Sequence, residues 1–401
     1  MASKRAETGN SGLIKSMNKR IVLDILLRNE AVSRTMLSEL AGLAMPTVMR
    51  IVDSFIADGL ISEIGKGDSS GGRKPVMLQI NPNAYYFLGT DVSRECHSVV
   101  ANIHGEIIGS AQCVMDYSGG TQAVTEQIRR NMRKAVANSQ VAPERIVYSG
   151  VGLPGIGFKF LRNSNLSFAF WSDADRGAIE AQLRIGYPTI IENVGRLGAA
   201  AELKFGLGRH LRNFLYIYAD DGISMGAVID GRLETGHSGI GGEFGHTSVN
   251  FAGELCYCGN RGCVESYCSI YALIRAYETS LINQGLPGGT PPPATFFDFL
   301  YAAEKGDQLA LDVTARAGTI LGIGIGNLIN LYNPEAVILS GTLCKTLPLY
   351  AAAAEAEARR HIFLREAQAV KFHESTLDRH SEAVGAVALA SEYFFAEYCK
   401  K

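Results

Sequence analysis

Apolar and polar positions follow two rhythms in the first eighty residues. Over residues 16–28 apolar side chains recur at helical spacing, with Ile21, Ile25 and Leu26 among those on one face. Ser33 stands where an N-cap belongs, ahead of a short helix through Leu37, Leu40 and Ala41 that Gly42 ends. A third helix is predicted from Met45-Pro46, where proline suits the first turn, through Val48, Ile51, Val52 and Phe55 to Asp58, with Gly59 as its stop. The period then shifts to two. Residues 60–64 and 76–80 read as strands, joined by the tip GKGDSSGGRKP. Helix, four-residue turn, helix and hairpin make a winged helix-turn-helix.

In such a module the start of the second helix of the motif lies in the DNA major groove and the wing reaches along the backbone. Thr47 and Arg50, three apart on the face opposite Val48, Ile51 and Val52, are the expected DNA contacts. Arginine reads guanine with its fork, whereas threonine contacts phosphate or a thymine methyl. Arg73 and Lys74 follow the Gly71-Gly72 pair and are placed to enter the minor groove or hold phosphate. The competing reading is that these are solvated charges on a small three-helix domain. Charge permits DNA binding without establishing it: residues 1–80 hold eleven Lys plus Arg against eight Asp plus Glu, in a chain of net charge −2. A single module buries little DNA, so a homodimer or higher homo-oligomer on a pseudo-palindromic site is expected.

Asn81-Pro82-Asn83 reads as a short link. Beyond it, strands are predicted at 86–92, 97–103 and 107–115, a helix at 121–139 and a strand at 146–153. Strands and helices then alternate through 189–191, 198–205, 215–219 and 225–229, and a final helix covers 381–398. The fold class is α/β with mixed sheets. With 401 residues, 47% hydrophobic and 19% charged, the chain has material for two or three cores. No uninterrupted apolar run is long enough to span a bilayer, and MASKRAETGNSG lacks the apolar stretch of a signal peptide. The expectation is a cytoplasmic protein without a membrane partner.

Residues 236–268 carry the densest chemistry. His246, Cys256, Cys258 and Cys263 fall within eighteen residues, and Gly259 and Gly262 allow sharp turns between them. One imidazole and three thiolates form a closed tetrahedral set, the pattern of a structural zinc site with no open position for water. The C-x-C-x4-C spacing is not that of a zinc finger. A chance cluster of buried side chains, or a disulfide, is the plainer alternative, and Cys268 is read as packing.

Two acids bracket this cluster, Glu243 and Glu265. The series E-x-G-H followed by C-x-C-G-x-x-G-C-x-E, carried by Glu243, Gly245, His246, Cys256, Cys258, Gly259, Gly262, Cys263 and Glu265, resembles the ROK family of repressors, uncharacterised reading frames and sugar kinases. The resemblance extends over nearly the whole chain. It implies a two-lobed actin-like ATPase/sugar-kinase fold with sugar in the cleft, its hydroxyls held by Glu243, His246 and Glu265, and zinc held by His246 and the three Cys. Asn193 is a helper, and Asn165, from an N-S-N-L segment similar to another sugar-contacting loop, a further candidate. It also implies a division into a winged helix-turn-helix at 1–82, lobe 1 at 83–191 completed by helix 381–401, and lobe 2 at 192–380 with the zinc site. ROK repressors, unlike the kinases, carry the winged module with a GGR(K/R)P wing.

A ROK kinase needs a D-x-G-G-T loop, a catalytic Asp in N-D-A-N and a second glycine loop resembling G-T-G-I-G-x-G. Here the first reads Asp91-Val92-Ser93-Arg94-Glu95, the second Asn193-Val194-Gly195-Arg196 and the third Asp220-Asp221-Gly222-Ile223-Ser224-Met225-Gly226. Valine cannot take a proton from a sugar hydroxyl. Glycine loops bind phosphate through bare N–H groups, which side chains obstruct and an acidic pair repels. The expected function is therefore a sugar-responsive DNA-binding transcriptional regulator, a repressor of carbohydrate genes that is not an enzyme. Its partners would be a double-stranded operator and a sugar or sugar-phosphate effector. An active sugar kinase with a DNA-binding appendage, and a repressor controlled by a protein partner, are the alternatives.

Overall fold

The computed structural model describes residues 11–66, 74–93, 95–153, 176–283, 295–377 and 381–400. The N-terminal module contains α1 (Ser11–Arg28), β1 (Val32–Ser33), α2 (Arg34–Ala41), α3 (Met45–Ala57), β2 (Ile61–Lys66) and β3 (Val76–Ile80). Its local signals act as their chemistry dictates. Ser33 Oγ accepts from the Met36 N–H at 3.2 Å, and Gly42 leaves α2 at φ 63°. The strands form an antiparallel sheet in the order β1-β3-β2. Helix α1 begins five residues earlier than its apolar spacing indicated, and β2 starts one residue later and ends two later than expected, across an irregularity between Glu63 and Gly65. β1 was not foreseen, because two residues show no period.

Next comes a five-stranded sheet of β4 (Tyr86–Val92), β5 (Glu95–Asn102), β6 (Ile107–Val114), β7 (Ile146–Gly152) and β8 (Thr189–Glu192), ordered β6-β5-β4-β7-β8. The first three strands are antiparallel neighbours, while β7 and β8 join in parallel. α4 (Gly120–Ser139) and α5 (Arg176–Leu183) cover one face, where Val124, Ile128, Met132 and Ile179 meet Leu88 and Val100. A second five-stranded sheet follows, made of β9 (Phe214–Ala219), β10 (Ile223–Ile229), β11 (Arg232–Leu233), β12 (Ala336–Ser340) and β13 (Lys371–Glu374) in the order β11-β10-β9-β12-β13. Between the two sheets lies α6 (Val194–Phe205), which packs on β9, β10 and the last helix. It starts four residues before the helical stretch expected from the pattern because Asn193 caps it.

The helices of the second half are α7 (Glu265–Cys268), α8 (Ile270–Asn283), α9 (Phe296–Glu304), α10 (Gln308–Tyr332), α11 (Thr342–Thr346), α12 (Pro348–His361) and α13 (Ser381–Tyr398). By length and composition α10 is the one described helix apolar enough to cross a membrane. Leu321, Ile325 and Ile329 on it are buried in the same core as Tyr350 and Ala354 of α12. At Gly318 and Gly322 a Cβ would stand only 2.4 and 2.5 Å from the Tyr350 and Ala354 carbonyl oxygens, so it is a core helix pressed on a neighbour.

α13 returns to the first five-stranded sheet, and closely: a Cβ at Gly89 would stand 2.0 Å from the Ala383 carbonyl oxygen. Its other side receives the N-terminal module, which is more than linked at 81–83. Phe55 and Leu26 share one buried cluster with Phe87 and Phe395. The Tyr398 ring lies 6.0 Å from that of Phe55 and under the Lys19 ammonium, and its hydroxyl bonds the Asp58 carboxylate. Arg20 makes a forked contact with Glu392 at 2.6 and 2.7 Å.

Candidate functional site

The candidate metal cluster is built by two chain reversals. A Cβ at Gly262, φ 69°, would stand 1.7 Å from the Asn250 carbonyl oxygen, and Gly259 has φ 93°. These turns bring His246, Cys256, Cys258 and Cys263 together with all four ligand atoms within 4.8 Å of one another. His246 Nδ1 is 3.6 Å from Cys256 Sγ, and the sulfurs of Cys258 and Cys263 are also 3.6 Å apart. A tetrahedron with Zn–S bonds of about 2.3 Å has edges near 3.8 Å, so the set fits zinc in donor type and spacing. Cys268 stands apart, its thiol donating to the Ala317 carbonyl at 3.3 Å, as expected for packing.

The same loop delivers the two acids. Glu265 opens α7 with its carboxylate buried, and Oε2 accepts from the Ile223 N–H at 2.8 Å. Tyr257, between two of the cysteines, lies 3.3 Å from His246 Nε2. Burial first, then the Glu265 carboxylate, which it also hydrogen-bonds, pushes the Tyr257 hydroxyl far up. Imidazole, phenol and carboxylate thus form one chain from the Cys/His cluster to Glu265, a link the spacing did not reveal although Tyr257 lies inside the motif. Glu243 keeps an exposed surface, yet partial burial raises its carboxyl while His246 and Arg196 act to lower it.

At the head of α6, Asn193 Oδ1 accepts from Gly195 N–H at 2.8 Å and from Ser224 Oγ at 2.5 Å, so its carbonyl is spent on the cap and its amide nitrogen remains for other work. Val194 follows in the first turn. Arg196 was not foreseen. Its buried guanidinium holds Glu192 with Nε at 2.8 Å and reaches the carbonyls of Gly239 and Gly241, bracing the loop that leads to Glu243. The one available sign was an arginine in the altered N-V-G-R segment.

Where a kinase would cradle phosphate, acids converge. Asp91 at the end of β4 is buried with Oδ1 unpartnered, and burial followed by the charges of Glu382 and Asp220 raises its carboxyl well up. Asp220 is engaged by the Thr342 N–H at 3.1 Å and hydroxyl. Glu382 accepts from Tyr216 Oη at 2.9 Å. Three carboxyls gathered here, two of them with raised proton affinity, leave no cationic group among themselves to meet a phosphate.

Of the expected DNA contacts, Arg50 and Lys74 are exposed and Thr47 is half-buried. Lys15 and Lys19 of α1 share a groove of about 110 Å³ with Thr47 and Arg50, so α1 adds two cations that the helix-turn-helix spacing alone did not mark. Arg73 and Asn165 lie outside the described residues.

The profile described as ROK family matches residues 96–393. The xylose repressor of Bacillus spizizenii is 30% identical over 388 residues, covering 95% of this chain and 96% of that protein. The DNA-binding transcriptional dual regulator NagC of Escherichia coli is 26% identical over 398 residues, with 96% and 95% covered. Among solved structures, a ROK family transcriptional regulator, homolog of the E. coli MLC protein, superposes with a TM-score of 0.77 at 25% identity over 96% of this chain and 98% of that one. A ROK family glucokinase from Streptomyces griseus shares the fold alone, at 24% identity and a TM-score of 0.62, and covers 77% of this chain. Both regulator relatives and the regulator structure extend over the winged module as well as the lobes, and the chain belongs to the ROK family.

Proposed function

We propose that this chain is a sugar-responsive transcriptional repressor whose kinase-like body binds a free or phosphorylated sugar without reacting with it. What supports the reading is that Glu243 lies close enough to His246 and Glu265 for their charges to act on it, while Val194 stands in the sequence where the resemblance puts the catalytic base and Asp91, Asp220 and Glu382 crowd together near the altered phosphate loops. Each carboxylate oxygen accepts from a sugar hydroxyl, and the amide nitrogen of Asn193 supplies a donor. Asn165 is a further sugar contact in this proposal. His246, Cys256, Cys258 and Cys263 hold one structural zinc, which fixes the loop bearing both acids. Thr47, Arg50, Arg73 and Lys74 contact operator DNA, and two copies of the chain bind a two-fold site. The units are 1–82, 83–191 with 381–401, and 192–380. The names of the relatives, xylose repressor and NagC among them, support a regulator over an enzyme.

The test is calorimetry against D-xylose, D-glucose, N-acetylglucosamine and their phosphates, with zinc counted by elemental analysis. One of these sugars should bind the parent. Glu243→Gln and Glu265→Gln proteins that retain one zinc should bind it about 10- to 100-fold more weakly, as losing charge-assisted hydrogen bonds worth about 1.5–3 kcal/mol predicts. Parent-like binding by both zinc-loaded variants would remove the cleft from the account.

A further inference from the structure

Two cysteines at the edge of the first five-stranded sheet belong to neither the cleft nor the metal cluster. Cys96 on β5 and Cys113 on β6 are register partners. Directly opposed residues of antiparallel strands point their side chains to one face with Cα atoms about 4.5–5.5 Å apart, inside the span of about 4.4–6.8 Å that a disulfide bridges. The two differ in access: Cys96 is fully buried, whereas Cys113 is half-buried on β6, the outermost strand.

α4 covers the pair. Asn131 Nδ2 donates to the Cys96 carbonyl at 3.0 Å and lies 3.4 Å from its sulfur, and also bonds Ser98 Oγ at 3.0 Å and the Ala111 carbonyl at 3.2 Å, which pins the inner thiol and both strands. The hydrogen bond from Cys96, and then the Lys134 and Arg130 cations, lower the Cys113 thiol. That same bond and burial raise Cys96. The accessible sulfur is the nucleophile and the buried one its neutral neighbour.

We propose that Cys113 and Cys96 are a peroxide-oxidisable dithiol that closes to an intramolecular disulfide across β5 and β6. The Cys113 thiolate attacks one oxygen of hydrogen peroxide, the O–O bond breaks, and the departing hydroxide takes a proton to become water. Cys96 gives up its proton and its sulfur attacks the sulfenic sulfur of Cys113. The S–O bond breaks, a second hydroxide leaves and is protonated, and the S–S bond forms. Two thiols are oxidised by two electrons while one peroxide is reduced to two waters.

Peptide mapping tests this on the full-length protein as purified, treated with hydrogen peroxide and quenched with N-ethylmaleimide. Trypsin leaves both cysteines on one peptide, because no Lys or Arg lies between them, and cleavage after Glu106 separates them unless they are bridged. The expected product is a bridged pair two hydrogens lighter, restored by dithiothreitol. Cys96→Ser should instead collect a dimedone adduct at Cys113, and Cys113→Ser should leave Cys96 oxidised at least about tenfold more slowly. Free, alkylated Cys96 and Cys113 in the parent at peroxide levels that oxidise Cys256, Cys258 or Cys263 would overturn the proposal. So would a Cys113→Ser protein in which Cys96 oxidises as fast as in the parent.

Discussion

Asp91 pairs two facts that conflict in an ordinary core: its carboxyl is buried, and one oxygen has no partner. Burial and the facing Glu382 and Asp220 raise its folded-state affinity for a proton above the unfolded value. The native state therefore binds more protons than the unfolded chain above a pH of about 4, and stability falls as pH rises from there through the raised folded value. Asp91→Asn removes that charge and presents an amide to two carboxylates. It should raise the unfolding temperature at pH 7 and flatten the decline that begins above a pH of about 4, with sugar binding unchanged, as thermal scans at each pH will record. Arg196 makes the opposite case. Removing it strands Glu192, whose side chain is 11% exposed, and frees the carbonyls of Gly239 and Gly241. Arg196→Met should cost about 3–5 kcal/mol in urea unfolding, and the Glu192→Gln/Arg196→Met pair should recover part of it.

At the scale of elements, α13 joins the functional ends of the chain. One side of it lies against β4, β7 and α6, whose head carries Asn193, and its outer turns hold Phe55, Asp58, Lys19 and Arg20 of the N-terminal module. Glu392 is 57% exposed, so its pair with Arg20 contributes at most about 1 kcal/mol and the aromatic contact carries the joint. Tyr398→Ala should leave sugar affinity within about twofold while reducing the sugar-dependent change in operator affinity, because ligand moves DNA binding only through a difference between coupled states. Fluorescence anisotropy of labelled DNA, with and without sugar, checks it. The bounds of β3 and β4 were legible in sequence because Pro75 and Asn81-Pro82-Asn83 bracket their apolar runs, and α13 was legible as one long apolar, alanine-rich stretch. The gathering of His246, Cys256, Cys258 and Cys263 was equally legible, since the four lie within eighteen residues. The docking of Tyr398 on Phe55 was not, since contacts 343 positions apart leave no local pattern, and neither did the grip of Arg196 on a loop some forty residues on.

On the proposed reading, one continuous frame carries the sugar-binding acids, a zinc-fixed loop and the face that meets DNA, while the sequence elements of phosphoryl transfer are replaced. Sugar that binds and is not consumed can act only by favouring one arrangement of the frame. A tenfold shift in operator affinity requires about 1.4 kcal/mol of difference between arrangements, well within what two or three charge-assisted hydrogen bonds supply. The most direct measurement is the affinity of the zinc-loaded protein for DNA from its own promoter region, titrated with the sugar panel in parent, Glu243→Gln and Glu265→Gln proteins. At least one sugar should change the parent's affinity about tenfold or more, with no ADP released from ATP, while both variants bind DNA as tightly as the parent but respond about tenfold less to that sugar. An operator affinity indifferent to every sugar, or variants that respond as the parent does, would contradict the account.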